Sequence, residues 1–363
     1  MHNYSNFILD RIHTAFRLGI ISLFRVLSYK LLVKYRFHKV VRIGESNQKY
    51  CTKNPNKLSL NESLDHFFFF NRKITDLVYF KDKDSDKNFF LTNWFDKYIH
   101  SNKLYWYEIS DFKVEAGDIK GVWELSRWYW AIRISCDPKM SLSKKRFIID
   151  EIAKVWKIQN PFLRGPNWKC GQEVSLRLIH YLISLRLLDY GNSQLDEDQE
   201  LFVSQHLQRI EPTISYAKGQ KNNHWISEAV ALIIGGLWLG DTSGKKYFKK
   251  GITELSNAIN ILFNDDGSFA QSSFNYLRHA LTLIAISRLE ILSFSEDANF
   301  LGSRKLAKAL KFYSHFTKAR ENCTHNWGAN DGSNPLAISG LDFLDPLAQK
   351  GLYDFTFFGS DYV

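Results

Sequence analysis

An all-α fold is what this sequence predicts, and three observations carry the prediction. From about residue 115 onward, apolar residues recur at helical spacing in one segment after another. Pro and Gly are few, 7 and 20 in 363 residues, and no period-2 runs recur at the intervals of an all-β sandwich. Connectors between the periodic segments are short, so successive helices should form antiparallel hairpins in a bundle, solenoid or toroid. No exact repeat chooses among the three.

Residues 1–60 read as a basic arm and linker. Ile20, Phe24, Leu27 and Leu31 share one helical face beside Arg17, Arg25 and Lys30, the pattern of a basic amphipathic helix. Packing on its own domain and contact with a membrane surface both fit it. Arg25 and Lys30 interrupt the apolar stretch 18–33, which therefore neither spans a bilayer nor makes a secretory signal, and no small-residue cleavage site follows it. The expected location is the cytoplasm, peripheral to the inner membrane through the arm, with the periplasm as alternative. A polar joint over 44–63 leads to aromatic residues at 67–70 and an apolar run at 74–80, either a strand pair or a buried helix, and then to a charged loop at 81–87. Helices follow at about 119–135, 197–216, 224–239, 245–263, 270–290 and 302–318. Two more are marked by the stripes Ile148, Ile152, Val155, Trp156 and Val174, Leu178, Tyr181, Leu182, Leu185. The helical domain takes in 61–320, and 321–363 forms an exit segment.

Hydrophobic residues make up 45% of the chain, enough for a sizeable core and too many for a disordered tail. Forty-eight Lys and Arg against 38 Asp and Glu leave +10. Residues 1–50 supply nine basic side chains against Asp10 and Glu45, so the body is close to neutral and no nucleic-acid groove is expected. Cys51, Cys136, Cys170 and Cys323 lie far apart without a CxxC pair, and neither a metal site nor a cofactor is expected.

Four stretches concentrate polar and aromatic residues at the predicted helix ends. They are Trp123-Glu124-Leu125-Ser126-Arg127, NPFLRGPNWKCGQE at 160–173, Asn222-Asn223-His224-Trp225 with Glu228, and DDGSFAQSSFNYLRH at 265–279. In order and spacing, over about 115–345, they resemble the heparinase II/III-like polysaccharide lyases, particularly those of bacterial surface-polysaccharide clusters. The resemblance implies an incomplete α/α toroid acting on an acidic polysaccharide or oligosaccharide. In that family a β-sandwich follows the toroid. Here about thirty residues follow Trp327–Gly332, so the sandwich half is expected to be missing or separately encoded.

Such lyases cleave by β-elimination: a base takes the C5 proton of a uronate while an acid protonates the leaving oxygen. A carboxylate beside C5 opposes carbanion formation unless a neutral donor or a cation takes up its charge. The resemblance gives that task to Asn223, whose amide donates without adding negative charge. His224 is assigned base or charge-stabilising work around neutrality, and Tyr276 protonation of the leaving oxygen. Tyr276 acting as base would cost about 4 kcal/mol at pH 7 unless a cation such as Arg278 lowered its pKa. Family members carry His where this chain has Leu277. Trp123, Glu124, Arg127, Asn167, Trp168, Asn222 and Arg278 are the substrate-cleft candidates, Trp168 by stacking on a sugar ring.

Each residue also has a structural reading. Asn222 and Asn223 suit helix N-caps, Glu124 with Arg127 a structural ion pair, Trp123 and Trp168 the core, and Asp265-Asp266-Gly267 a turn. At the level of function, the alternatives are a glycan-binding protein of polysaccharide biosynthesis without turnover, and a glycoside hydrolase drawing on Glu173, Glu228 and Asp266.

Overall fold

A computed structural model describes residues 19–46, 68–69, 72–73, 103–110, 112–113, 117–188, 195–294, 304–317 and 327–329. The charged loop at 81–87, the apolar run at 74–80, most of the polar joint and all of 330–363 lie outside them, as do Cys51 and Cys323. Most of the described residues are helical. The strands are two antiparallel ladders of two residues a side, β1 (Phe68–Phe69) with β2 (Arg72–Lys73) and β3 (Phe112–Lys113) with β4 (Gly117–Asp118). The helices are α1 (Ile20–Lys34), α2 (Lys39–Ser46), α3 (Lys120–Ser126), α4 (Tyr129–Cys136), α5 (Leu142–Gln159), α6 (Gly171–Leu187), α7 (Glu197–Ile210), α8 (Ile214–Gln220), α9 (Asn223–Leu239), α10 (Thr242–Leu262), α11 (Phe274–Ser293) and α12 (Arg304–Thr317).

Two predicted helices are each broken in two. The one expected at 119–135 divides into α3 and α4 because Trp128 adopts a left-handed conformation, φ 64°. Its ring is fully buried between Trp156, Tyr181 and Phe202, and that packing offsets the cost of positive φ at a bulky residue. The one expected at 197–216 ends at Ile210, where Pro212 removes an amide donor and a 3-10 turn, Glu211–Thr213, leads into α8.

The chain forms two compact units: Arg42–Arg209, and Met1–Val41 together with Ile210–Val363. In the first, the Lys145 amine reaches the Ser135 carbonyl and the Trp156 indole reaches Ser126, so α5 runs antiparallel to α4. Arg177 bonds the Ser126 carbonyl while Ser135 bonds that of Ser184, which sets α6 parallel to α4. Contacts of Arg177 with His206 and of Tyr181 with Phe202 return α7 antiparallel to α6.

The second unit repeats this alternation around α9. Every residue of α9 from Asn223 to Trp238 except His224 is buried, as a helix apolar on all faces must be. Its neighbour α10 comes back along it through glycines. A Cβ on Gly236 would stand 2.6 Å from the Phe248 amide, and one on Gly251 2.8 Å from that of Ile233. The Trp225 indole meets Glu254 at 2.9 Å further along, which fixes the antiparallel register. Between α9 and α11, Ser227 meets His279 and Trp238 meets Glu290, both 52 residues apart, so these two helices run parallel with their N-termini at the same end. α1 lies on α8, where Gly219 admits Ser22 and Val26 and where Tyr29 stacks on Tyr216 at 4.3 Å. Among the described residues no helix is long and apolar enough to cross a membrane.

Candidate functional site

The shared end of α9 and α11 is built by local capping. Asn222 is the N-cap of α9, its side-chain oxygen accepting from the His224 amide at 3.1 Å. Ser273 caps α11 by accepting from the Tyr276 amide at 3.4 Å. Between α10 and α11, residues 263–273 fold back through paired Phe263 and Phe269. The turn within them is held by Asp266, whose carboxylate accepts from the Ser268 amide and hydroxyl. Those bonds hold its pKa below the usual carboxylate range. Gly267 sits at φ 90°, and a side chain there would collide with the Lys308 carbonyl of α12.

Gln271 then joins the two helix starts, its side-chain oxygen accepting from the Asn223 amide at 2.8 Å. The segment 327–329 lies across the first turn of α11. Phe274 donates to the Trp327 carbonyl and Ser273 to that of Ala329. Gly328 approaches so closely that a Cβ would be 2.7 Å from the Ser273 Cα. Around this end opens a cavity of about 400 Å³, walled by Phe269, Phe274, Phe312 and Trp327 with Gln271 and Ser272 at its polar side.

Asn223, His224 and Tyr276 thus lie in the first turns of two neighbouring parallel helices. None of them lines the cavity, whereas Leu277 does. Asn223 is buried, and its carbonyl accepts from Ser227 at 3.1 Å. Tyr276 is buried too, and His224 is half-buried. Arg278 is buried and donates to the Asn275 side chain at 3.1 Å.

The remaining candidates belong to the other unit, where their contacts are structural. Arg127 pairs with Glu173 through bonds of 2.6 and 3.0 Å, both side chains 5% exposed. The Glu124 side chain lies outside the described residues. Trp123 is buried with its indole on the Pro166 carbonyl. Trp168, at 1% exposure, packs against Trp156 and Phe162 and offers no ring face to a sugar. Asn167 is fully buried and donates to Asn160.

Sequence reasoning missed the polar cluster at the centre of that unit. Arg177 is fully buried with its guanidinium over the Trp156 ring, and it donates to His206 and to the Ser126 and Asn167 carbonyls. Burial lowers its pKa to about 9, with Arg209 adding to the effect and Glu173 opposing it. Because Arg177 donates to Nε2 of His206, that imidazole is neutral with its proton on Nδ1, facing the Phe202 carbonyl. Burial, then the charge of Arg177, holds the His206 pKa well below 6.5. Arg209 secures the Trp168 and Lys169 carbonyls. A signal for the cluster existed in the sequence: Arg177 and His180 interrupt a helix apolar on every side, where a polar group must be buried and bonded.

Among the described residues no three His, Cys, Asp or Glu side chains gather as a metal site requires. No protein family, curated protein or solved structure matches this chain.

Proposed function

We propose that this chain is an α/α-toroid protein of the heparinase II/III-like type, which engages an acidic, uronate-containing polysaccharide and cleaves it by β-elimination. The observation that carries the reading is the common end of α9 and α11, which gathers Asn223, His224 and Tyr276 beside an aromatic-walled cavity. Two parallel N-termini place positive partial charge at that end, suited to a carboxylate. The cavity walls suit the apolar faces of sugar rings. The alternation of antiparallel and parallel helices in each unit fits the repeating hairpins of a toroid.

In this reading Asn223 takes up the charge growing on the uronate carboxylate, His224 receives the C5 proton or stabilises the negative charge its removal leaves, and Tyr276 protonates the departing oxygen. The test is digestion of a panel of uronate polymers, followed by the ultraviolet absorbance of the unsaturated product. Asn223→Ala and Tyr276→Phe should each lose activity by about 100-fold or more. Undiminished activity in both variants would sink the assignment.

A second reading, binding without turnover, is favoured by one feature: Leu277, at the position of the family's imidazole, lines the cavity. It predicts retention on an immobilised uronate polymer with no new absorbance. For the hydrolase alternative, Glu173 is engaged by Arg127 and Asp266 by Ser268, so neither is poised as an acid or base.

A further inference from the structure

Helix α1 is apolar on two opposite sides. One side, with Ser22, Val26 and Tyr29, meets α8. Successive residues turn by about 100°, which sets Ile20, Phe24, Leu27 and Leu31 on the side facing away. These are exposed, Ile20 by 87% and Phe24 by 71%, and Tyr35 and Phe37 carry the exposed apolar surface past the helix end. Scattered exposed hydrophobics are ordinary, but a continuous stripe of this length marks a contact surface. Its charge says which kind. From Gly19 to Ile43 there are six Lys and Arg and no Asp or Glu. Lys30 and Lys34 flank the stripe exposed, and Arg42 is exposed just beyond it.

We infer that α1 lies in the interfacial plane of an anionic lipid bilayer, with the Ile20–Leu31 stripe among the acyl chains and the basic side chains among the headgroups. At fifteen residues the helix is about 22 Å long, too short to span. A second protein surface would be an alternative cover. An apolar centre with basic flanks and no acidic residue is complementary to phosphate headgroups, and ill matched to a second copy of the same basic helix. The inference stands apart from the glycan reading, since it draws on none of Asn223, His224, Tyr276 or the residues that line the cavity.

The experiment is co-sedimentation of the full chain with vesicles of phosphatidylcholine alone or mixed with phosphatidylglycerol. The mixed vesicles should bind at least about tenfold more tightly. Phe24→Ser with Leu31→Ser should abolish binding to both, and Lys30→Glu with Lys34→Glu should erase the preference for the anionic ones. All four side chains are exposed, so circular dichroism should match the parent chain. Three results would overturn the inference: no partition of the parent chain into either vesicle, equal binding by the parent and the Ser variant, or a homodimer in sedimentation velocity that the Ser variant dissociates.

Discussion

The helix starts in the two units are tied down in different ways. Before α6, the carbonyls of Asn167, Trp168 and Lys169 are held by the guanidiniums of Arg177 and Arg209, buried among Trp156, Trp168 and Trp106. Before α9 and α11 the ties are neutral: Asn222, Ser273 and the amide of Gln271. A buried cation spent on carbonyls locks a segment and leaves nothing for a ligand. Neutral caps beside an open cavity cost less to assemble and keep polar groups near solvent. The contrast is between helix starts held by buried charge and helix starts held by neutral caps.

The largest expected effect comes from breaking the charged side of that contrast. Arg127→Ala strands the buried Glu173 carboxylate and should cost about 3–5 kcal/mol in urea denaturation. Arg127→Met combined with Glu173→Leu should recover most of that loss. A loss below about 1 kcal/mol in the single variant would mean that the pair is not a tie.

Next comes pH. The His206 imidazole takes up a proton near pH 6.5 when unfolded but resists it when folded. Stability present above pH 6.5 should therefore fall as pH drops, by up to about 1.4 kcal/mol per unit. Arg177, with its pKa near 9, stays charged throughout that window. His206→Gln keeps an acceptor for Arg177 and should flatten the slope measured between pH 7 and 5.

Smaller effects belong to the unit whose helix starts carry neutral caps. Gly251→Ala, normally a gain of about 1 kcal/mol within a helix, should instead cost about 1–3 kcal/mol because its methyl meets the backbone of α9. Asn222→Ala should lose about 1 kcal/mol with its cap, and Asn222→Asp much less. If the Ala and Asp variants melt together, the cap is not what holds the start of α9.

Much of the helical order was legible because α5, α6, α9, α10, α11 and α12 carry long apolar stripes: α5 and α6 contain the two named stripes, and the limits of α9, α10, α11 and α12 fall within four residues of the expected ones. The breaks at Trp128 and Pro212 were harder. Trp128 is bent by tertiary packing that no local pattern records, whereas Pro212 was a visible stop passed over because apolar spacing continued beyond it. At the candidate site, the turn at Asp266 and the cap at Asn222 follow from residue chemistry. The burial of Trp168 and the partner of Arg127 depend on pairings 46 residues or more apart or on whole-core packing, which one sequence does not show. For α1, spacing identified the apolar stripe, while its outward direction and the opposite, inward face emerged only with α8 beside it.

The glycine contact between α9 and α10 bears on how the molecule comes to exist. The hairpin closes across a link of two residues, Gly240 and Asp241, and its backbones touch without waiting for side chains to sort themselves. Contacts so near in sequence cost little loop entropy and form early. This hairpin is therefore the natural nucleus of its unit, a pillar standing before the more distant α11 arrives. Bulk added at Gly251 should slow refolding more than it hastens unfolding.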